Sequence, residues 1–416
     1  MVCGYLIDYA YSAAVMRASP RTAGDFLAAG EVFGLYWRCW DVPAVKILHM
    51  ADMHLEWPFA GMGMDRTRGR LRREELKKVF AGIIDLAEQE EVQVLLIAGD
   101  LLEHQHATRG TAQFLDRQFR RIPGTRIFIS PGNHDPFLPN SYYQTYPWSE
   151  NVHIFGPEPE RVDLPDLPVS VLGWGFPAWE VGEWRLASVP ALDLQRINLA
   201  VFHGGEGAYH PFRPADLAGL AAQGVDYIAL GHIHQGGVLL EQGGRVVARY
   251  SGSPEALSFG EPGEHGVFLG TVSKEESRVA FRPTGLRRYI SREVPVDGAV
   301  SLEDVVARIL AVDDPAARQQ HCYRLTLTGA VDPGLAVDLA LLREMVQGEF
   351  YHVKLLDETR PDWDLDALAE ERSARGLFVQ QMRAMARAEA DPVVRRRVLR
   401  ALDLGLQALA GKEGGR

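Results

Sequence analysis

The chain is poor in cysteine, has no excess of positive charge and has no long apolar run. Its three cysteines, Cys3, Cys39 and Cys322, are odd in number and far apart. That excludes a disulfide framework and a cysteine-rich zinc site, and it fits a reducing cytoplasm. No segment reaches the ~18 consecutive apolar residues of a membrane-spanning helix, so no membrane role is expected. The net charge is −11 over 416 residues. A protein that grips nucleic acid through backbone charge alone is usually basic, so an unaided DNA binder is disfavoured. A nuclease whose metals and partner bring the positive charge is not. Internal repeats, low-complexity tracts and a P-loop are also missing, and the last absence means that any ATPase must be a separate chain.

What is present is an ordinary globular composition, 46% hydrophobic and 24% charged, with 41 glycines and 24 prolines spread over many loops. The length allows one large core and a smaller second unit. In the first 44 residues Asp8 interrupts the apolar text, and Arg17 and Arg21 come after it. A secretory signal has the reverse order. At Val45 the text changes to VKILHMADMH, the first strand of a domain. Residues 1–44 are therefore expected to be a miscalled leader on a chain that starts near Val45, or else a disordered arm.

From Val45 one event recurs: an apolar strand, a small residue, then a ligand-type residue. Val45–His49 precedes Asp52 and His54. Val92–Ala98 precedes Gly99-Asp100. Arg126–Ser130 precedes Gly132-Asn133-His134-Asp135. Ile197–Phe202 precedes His203, and Val225–Leu230 precedes Gly231-His232-Ile233-His234. Helices are predicted over 70–89 and 110–120 from their apolar spacing. Later strands are predicted at Val152–Phe155, Val169–Trp174, Val246–Tyr250 and Gly266–Val272. Sites of α/β folds gather at the carboxyl ends of strands, so the chemistry is expected on one rim. The fold class is α/β, a core of two packed sheets with helices outside. Near 290 the character changes. Tyr323–Thr328, a helix over 335–347 and Tyr351–Leu356 read as a small β-α-β unit. Leu365–Glu389 reads as one helix, and a second starts after Asp391-Pro392. The expected division is a core over 45–289, a small α+β cap over 290–360 and a helical segment over 361–416. That segment either covers the core or docks a partner.

Any one of these clusters has an ordinary explanation. A glycine-aspartate pair is usually a turn, and a single PGNHD is a loop with a local side-chain cap. Five of them at strand ends point to a metal site. Residues two apart on an extended segment point the same way, so Asp52 with His54, and His232 with His234, can each face one site. A mixture of carboxylate, amide and imidazole suits Mn²⁺, Fe²⁺ or Zn²⁺, whereas a Mg²⁺ site would use mostly oxygen. His49 reads as structural. His104 and His106 are placed to touch substrate. His153, His265, His321 and His352 are background, and His210 follows the His203 loop.

The pattern DxH, GD, GNHD, H and GHxH resembles that of the calcineurin-like metallophosphoesterases. Within that superfamily HMADMHLEWPFAG (49–61), ALGHIH (229–234), YSGSPEALSFGEPGEHG (250–266) and RGLFVQQM (375–382) resemble the SbcD nuclease subunits and YhaO-type exonuclease-like proteins. The resemblance implies a two-sheet β-sandwich core flanked by helices, with a cap and terminal helices. It implies Asp52, His54, Asp100 and His234 as ligands of one metal, and Asp100, Asn133, His203 and His232 as ligands of the other. Asp100 bridges them. His134 is the catalytic histidine that binds no metal, and Asp135 orients it through the other ring nitrogen. Glu103 departs from the branch, which carries His or Asp three residues after the bridging aspartate.

The resemblance also implies a reaction and partners. The reaction is hydrolysis of DNA phosphodiester bonds, by an exonuclease or endonuclease, with two divalent ions, Mn²⁺ foremost, and a hydroxide between them. The partners are DNA, a separately encoded SbcC-like coiled-coil ATPase and a second copy in a homodimer, in DNA repair. Seven basic residues against three acidic ones over 65–78 (Arg66, Arg68, Arg70, Arg72, Arg73, Lys77 and Lys78) either hold a phosphate backbone or form a solvated helix face. The rival readings are a phosphatase or cyclic-nucleotide phosphodiesterase on small substrates, and a scaffold subunit without activity.

Overall fold

The computed structural model describes residues 42–59, 64–181, 190–204 and 217–409. Most of the leader and His210 lie outside them. The chain runs β1 (Val45–Met50), α1 (Arg66–Gln89), β2 (Val94–Ile97), α2 (Arg109–Phe119), β3 (Arg126–Ile129), α3 (Tyr142–Thr145) and β4 (Val152–Ile154). It continues through β5 (Glu160–Asp163), β6 (Val169–Gly173), β7 (Ile197–His203), α4 (Leu217–Ala222), β8 (Tyr227–Gly231), β9 (Gly237–Gln242), β10 (Arg245–Tyr250), β11 (Gly266–Val272) and β12 (Ser277–Pro283). One six-stranded sheet has the order β12-β11-β1-β2-β3-β4, the other β5-β6-β7-β8-β10-β9. β1, β2 and β3 are parallel neighbours, as are β6, β7 and β8.

Alternation along the strands builds three apolar layers. Ile47, Val94, Leu96 and Phe128 of the first sheet meet Val171, Leu199, Val201 and Tyr227 of the second between the sheets. The other face of the first sheet, Leu48, Met50, Leu95 and Ile97, packs on Leu76, Phe80 and Ile83 of α1 and Leu115 and Phe119 of α2. The far face of the second sheet carries Ala200, Phe202, Ile228 and Leu230 against Leu220 of α4. Strands buried on both faces explain the continuous apolar runs of the sequence. The expected two-sheet core with outer helices is what forms. His49 is buried between the sheets, its ring nitrogens 3.0 Å from the Tyr227 hydroxyl and 3.2 Å from the Leu230 carbonyl.

The smaller region starts with β13 (Tyr289–Pro295), α5 (Leu302–Leu310) and α6 (Pro315–Gln320), then β14 (Cys322–Val331), α7 (Leu339–Val346) and β15 (His352–Pro361). β13, β14 and β15 form one parallel sheet around Val294, Leu325, Leu327, Leu342 and Val353. The β-α-β unit read from the sequence is its second half. The terminal helices are α8 (Leu365–Glu370), α9 (Ala374–Ala388) and α10 (Pro392–Leu409). The single helix expected over 365–389 is therefore broken. The Ser373 side chain accepts from the Gly376 amide and starts a new helix there, which the apolar spacing alone does not reveal.

Candidate metal centre

Every ligand loop is held by hydrogen bonds to its neighbour before any side chain is considered. The Asp52 amide donates to the Gly99 carbonyl at 3.0 Å and the His54 amide to the Asp100 carbonyl at 2.9 Å. Side-chain-bearing residues of these loops lie at positive φ: Asp52 (φ 53°), His54 (φ 47°), Asp100 (φ 50°) and His232 (φ 100°). Each such residue costs about 1–3 kcal/mol and persists where the surroundings over-determine it, commonly at functional sites. The glycines before them are needed for closeness. A Cβ on Gly132 would sit 2.3 Å from Asp100 Oδ1, and one on Gly99 2.3 Å from His203 Nδ1.

The seven expected ligands converge. Asp52, His54 and His234 offer three ligand atoms within 4.8 Å of one another, and Asp52, Asp100 and His203 offer another three. Asn133 Oδ1 lies 2.9 Å from His203 Nε2 and 3.1 Å from His232 Nδ1. Asp100 Oδ2 stands 3.7 Å from His54 Nε2 and 3.3 Å from His203 Nε2, between the two sets as a bridge requires. The His232 amide donates to both oxygens of Asp52 at 3.0 Å. His134 joins His54 and Asp100 in a third set of atoms within 4.8 Å.

The outer contacts fix which ring nitrogens face inward. His54 Nδ1 donates to Glu103 Oε1 at 2.6 Å, His203 Nδ1 to the Ala98 carbonyl at 2.8 Å, and His234 Nδ1 points at Glu261 Oε1, 3.2 Å away. Orientation of this kind presents Nε2 to a metal. The Nε2 atoms of His54 and His234 stand 3.1 Å apart and close to the carboxylates of Asp100 and Asp52, so the residues fit a dimetal centre. The charges agree with this. Burial opposes ionisation of Asp100, but His203, His54 and His134 outweigh it and hold the carboxyl below its usual range. Burial likewise opposes charge on His203, yet Asp100 raises it to about 9. The same contest, won by Glu261 and Asp52, raises His234 to about 9. These imidazoles sit in a field that attracts positive charge, the field a cation would meet.

One expected role is corrected. Asp135 does not touch the His134 ring. It is buried, and its carboxylate accepts from the amides of Gly132 (2.7 Å), Asp100 (3.1 Å), Leu101 (2.7 Å) and Leu102 (3.2 Å) and from the Tyr143 hydroxyl (2.5 Å). It ties the Asp100 loop to the Asn133 loop. The partner of His134 is Glu103, at 3.0 and 3.1 Å from Nδ1. Burial would lift the Glu103 carboxyl, but His134 and His54 bring it down to about 2. Burial would lower His134, and Glu103 with Asp100 raises it instead. Glu261 and His265 were missed as well. The His265 ring bridges Ser253 and the Glu261 carbonyl, bracing the loop that faces His234. Their signal was the segment GEPGEHG, which carries no ligand and so reads as loop.

The basic stretch over 65–78 is also reduced. Arg72 is fully buried, bonded to Glu75 and Glu255 at 2.6 Å each, because its helix position faces the core. Lys77 is 3.1 Å from both Glu56 and Glu74. Arg66, Arg70 and Lys78 are exposed and make no ion pair among the described residues.

Residues 45–236 match the family model described as calcineurin-like phosphoesterase. The uncharacterized metallophosphoesterase YhaO of Bacillus subtilis is 27% identical over 303 residues, 68% of this chain and 72% of that protein. The DNA double-strand break repair protein Mre11 of Saccharolobus solfataricus is 25% identical over 222 residues, 51% of this chain and 55% of that one. A component of the nuclease SbcCD of Bacillus subtilis is 25% identical over 261 residues, 53% of this chain and 64% of that component. Residues 45–236 thus resemble a calcineurin-like phosphoesterase, and the clustered donors Asp52, His54, Asp100, His203 and His234 stand at the strand ends of that matched region.

Proposed function

We propose that this protein is a dimetal DNA phosphodiesterase, with Mn²⁺ as its metal, and that His134 is its catalytic histidine. The observation that carries the reading is the Glu103 carboxylate on Nδ1 of His134, beside the clustered donors of Asp52, His54, Asp100, His203 and His234. Bound cations would supply an activated water and neutralise the phosphoryl oxygens. Asp52, His54, Asp100 and His234 would hold one, and Asp100, Asn133, His203 and His232 the other. With Nδ1–H donated to Glu103, the Nε2 of His134 is the atom left for substrate, and its side chain is 38% exposed. The negative charge of Glu103 favours the protonated ring, which can donate from Nε2 to the leaving oxygen. The choice of DNA rests on the similarity to a DNA double-strand break repair protein and to a nuclease component, and on the exposed Arg66, Arg70 and Lys78. The partner reading rests on α9 and α10. They leave Leu377, Met385, Leu399 and Leu404 exposed, an outer face suited to a coiled-coil ATPase.

The test is an Mn²⁺-supplemented assay on 5′-labelled single- and double-stranded DNA beside a small phosphodiester. Cleavage of DNA by the wild type, lost in Asp100→Ala together with well over half of the bound metal, is the expected result. Hydrolysis of the small ester alone would move the assignment to a small-substrate phosphodiesterase. Two retained metal equivalents in Asp100→Ala would remove the bridge.

A further inference from the structure

The rim beside His134 carries an aromatic feature that the metal chemistry does not use. Trp179 is 41% exposed, and among the described residues its indole meets one ring, that of His104, at 5.4 Å and 76°. Edge-on packing of this kind leaves an indole face directed away from the brace. Both partners are anchored to the metal loops. His104 follows Glu103, and its amide donates to the His134 carbonyl at 3.0 Å. Trp179 ends the segment Phe176-Pro177-Ala178-Trp179. At the other end Phe176 packs against the ligand His203, ring centroids 5.5 Å apart. The Phe176 amide donates to the Pro131 carbonyl at 3.0 Å, and the Phe137 amide to the Phe176 carbonyl at 2.7 Å. The segment thus runs from a ring packed on His203 to a ring packed on His104, the residue after Glu103, and is fastened at its base to the Asn133 loop. The ring of Trp57 stands 6.1 Å from that of His134.

We propose that Trp179, braced by His104, is a stacking platform for a nucleobase flanking the scissile phosphate, and so a specificity-determining residue. The inference rests on the phosphodiesterase reading above and names its substrate class, an unstacked nucleotide. A flat, exposed indole fixed beside a phosphate-handling centre matches a base, which offers a π-face whatever its sequence. A paired, stacked base has no free face to give. The platform therefore selects single-stranded or frayed ends.

The experiment compares wild type, Trp179→Ala and Trp179→Phe on a labelled single-stranded oligonucleotide. The companion substrates carry one abasic nucleotide on either side of the cleaved bond. Bound Mn²⁺ is counted in each protein, to show that the site is intact. Wild type is expected to prefer the intact strand over one of the abasic strands by roughly 5–150-fold in kcat/KM. Trp179→Ala should bring that preference close to one, and Trp179→Phe should restore most of it. Equal preference in wild type and Trp179→Ala overturns the platform and leaves the nuclease reading standing. If wild type cleaves no oligonucleotide but does hydrolyse a small phosphodiester, the nuclease reading falls and the platform with it. Loss of binding to another protein in Trp179→Ala, with base preference unchanged, would make the indole a protein contact and overturn the proposal.

Discussion

Glu103 is bound to two imidazoles at once, and its replacement should show how far a residue outside the ligand set controls the centre. Glu103→Gln keeps the length and removes the charge. The carboxylate no longer fixes the His54 tautomer, and His134 loses the group that raises its pKa. Such outer partners typically contribute about 10–100-fold to metal affinity or activity. The expected outcome is a fall of that size, part of it recovered at high Mn²⁺ and part not, because in the proposed centre His54 would act through the metal and His134 would not. Full recovery at high Mn²⁺ would mean that His134 gains nothing from Glu103. His134→Asn isolates the second effect. It should lower turnover by roughly 10²–10⁴ and leave two metal equivalents bound. That outcome is a real test, since the His134 ring lies within reach of the same donors as His54 and Asp100. Metal loss in His134→Asn, or rescue by added Mn²⁺, would make the histidine a ligand. The seven proposed ligands were legible as candidates because each stands at or just past the end of an apolar strand, where local pattern alone marks it. Glu103, Glu261 and the true role of Asp135 were not. Their partners are 31 to 49 residues away for Glu103, and nothing in a linear text says which loop a carboxylate will face.

Between the elements, a buried ionic network joins the two-sheet core to the smaller region. Arg72 on α1 donates to Glu75, Glu255 and the Ala256 carbonyl, and its guanidinium lies 5.1 Å over the Phe59 ring. Glu75 in turn holds Arg287 at 2.5 Å, and Arg287 stacks over Tyr351 just before β15. Breaking a buried pair by removing one partner leaves a stranded charge and costs about 3–5 kcal/mol. Arg72→Met should therefore destabilise strongly in urea unfolding, although Met fits the apolar wall, because Glu255 is left buried without its cation. The pH dependence follows from Glu75. Burial pushes its carboxyl up, but Arg287 and Arg72 outweigh that and lower it below its ordinary range. A lowered folded pKa means that the ionised form stabilises the fold above the ordinary carboxylate range, and that this is lost as pH falls through the lowered value. Wild type should thus lose more stability on acidification than Glu75→Gln. Equal slopes in unfolding titrations from neutral to acid pH would show that Glu75 carries none of it. This network was invisible in the sequence for the reason that Arg72 was misplaced there. A run of arginines reads as a solvated face, and only the packing of α1 against the segment at Glu255 turns one of them inward. The break at Ser373 was hidden in the same way, since the apolar stripe continues across it while the cap does not.

At the scale of the whole molecule the balance of charge constrains how the proposed DNA substrate would be held. The chain carries −11 overall, so approach to a polyanion must rely on local patches and on the metals. Burial of Arg72 and the ion pairs of Lys77 leave fewer cations on α1 than the sequence promised. Arg66, Arg70 and Lys78 remain, four and eight residues apart and so on one helical face. Each cation that touches a phosphate releases counterions, and for duplex DNA this adds about 0.9 to the slope of log affinity against log salt. A small phosphodiester occupies only the metal centre and releases few ions. Two measurements should then separate. Affinity for duplex DNA should fall steeply as salt rises, while the KM for a small phosphodiester changes little. Replacing Arg66, Arg70 and Lys78 together by Gln should reduce the DNA slope by roughly 0.9 for each residue that meets a phosphate. It should not alter the metal content or the turnover of the small ester, since none of the three reaches the ligand loops through a hydrogen bond or ion pair among the described residues. An unchanged slope would place the DNA elsewhere on the surface. A flat salt response in the wild type would mean that this centre handles its phosphates one at a time, and would favour the small-substrate reading over the nuclease.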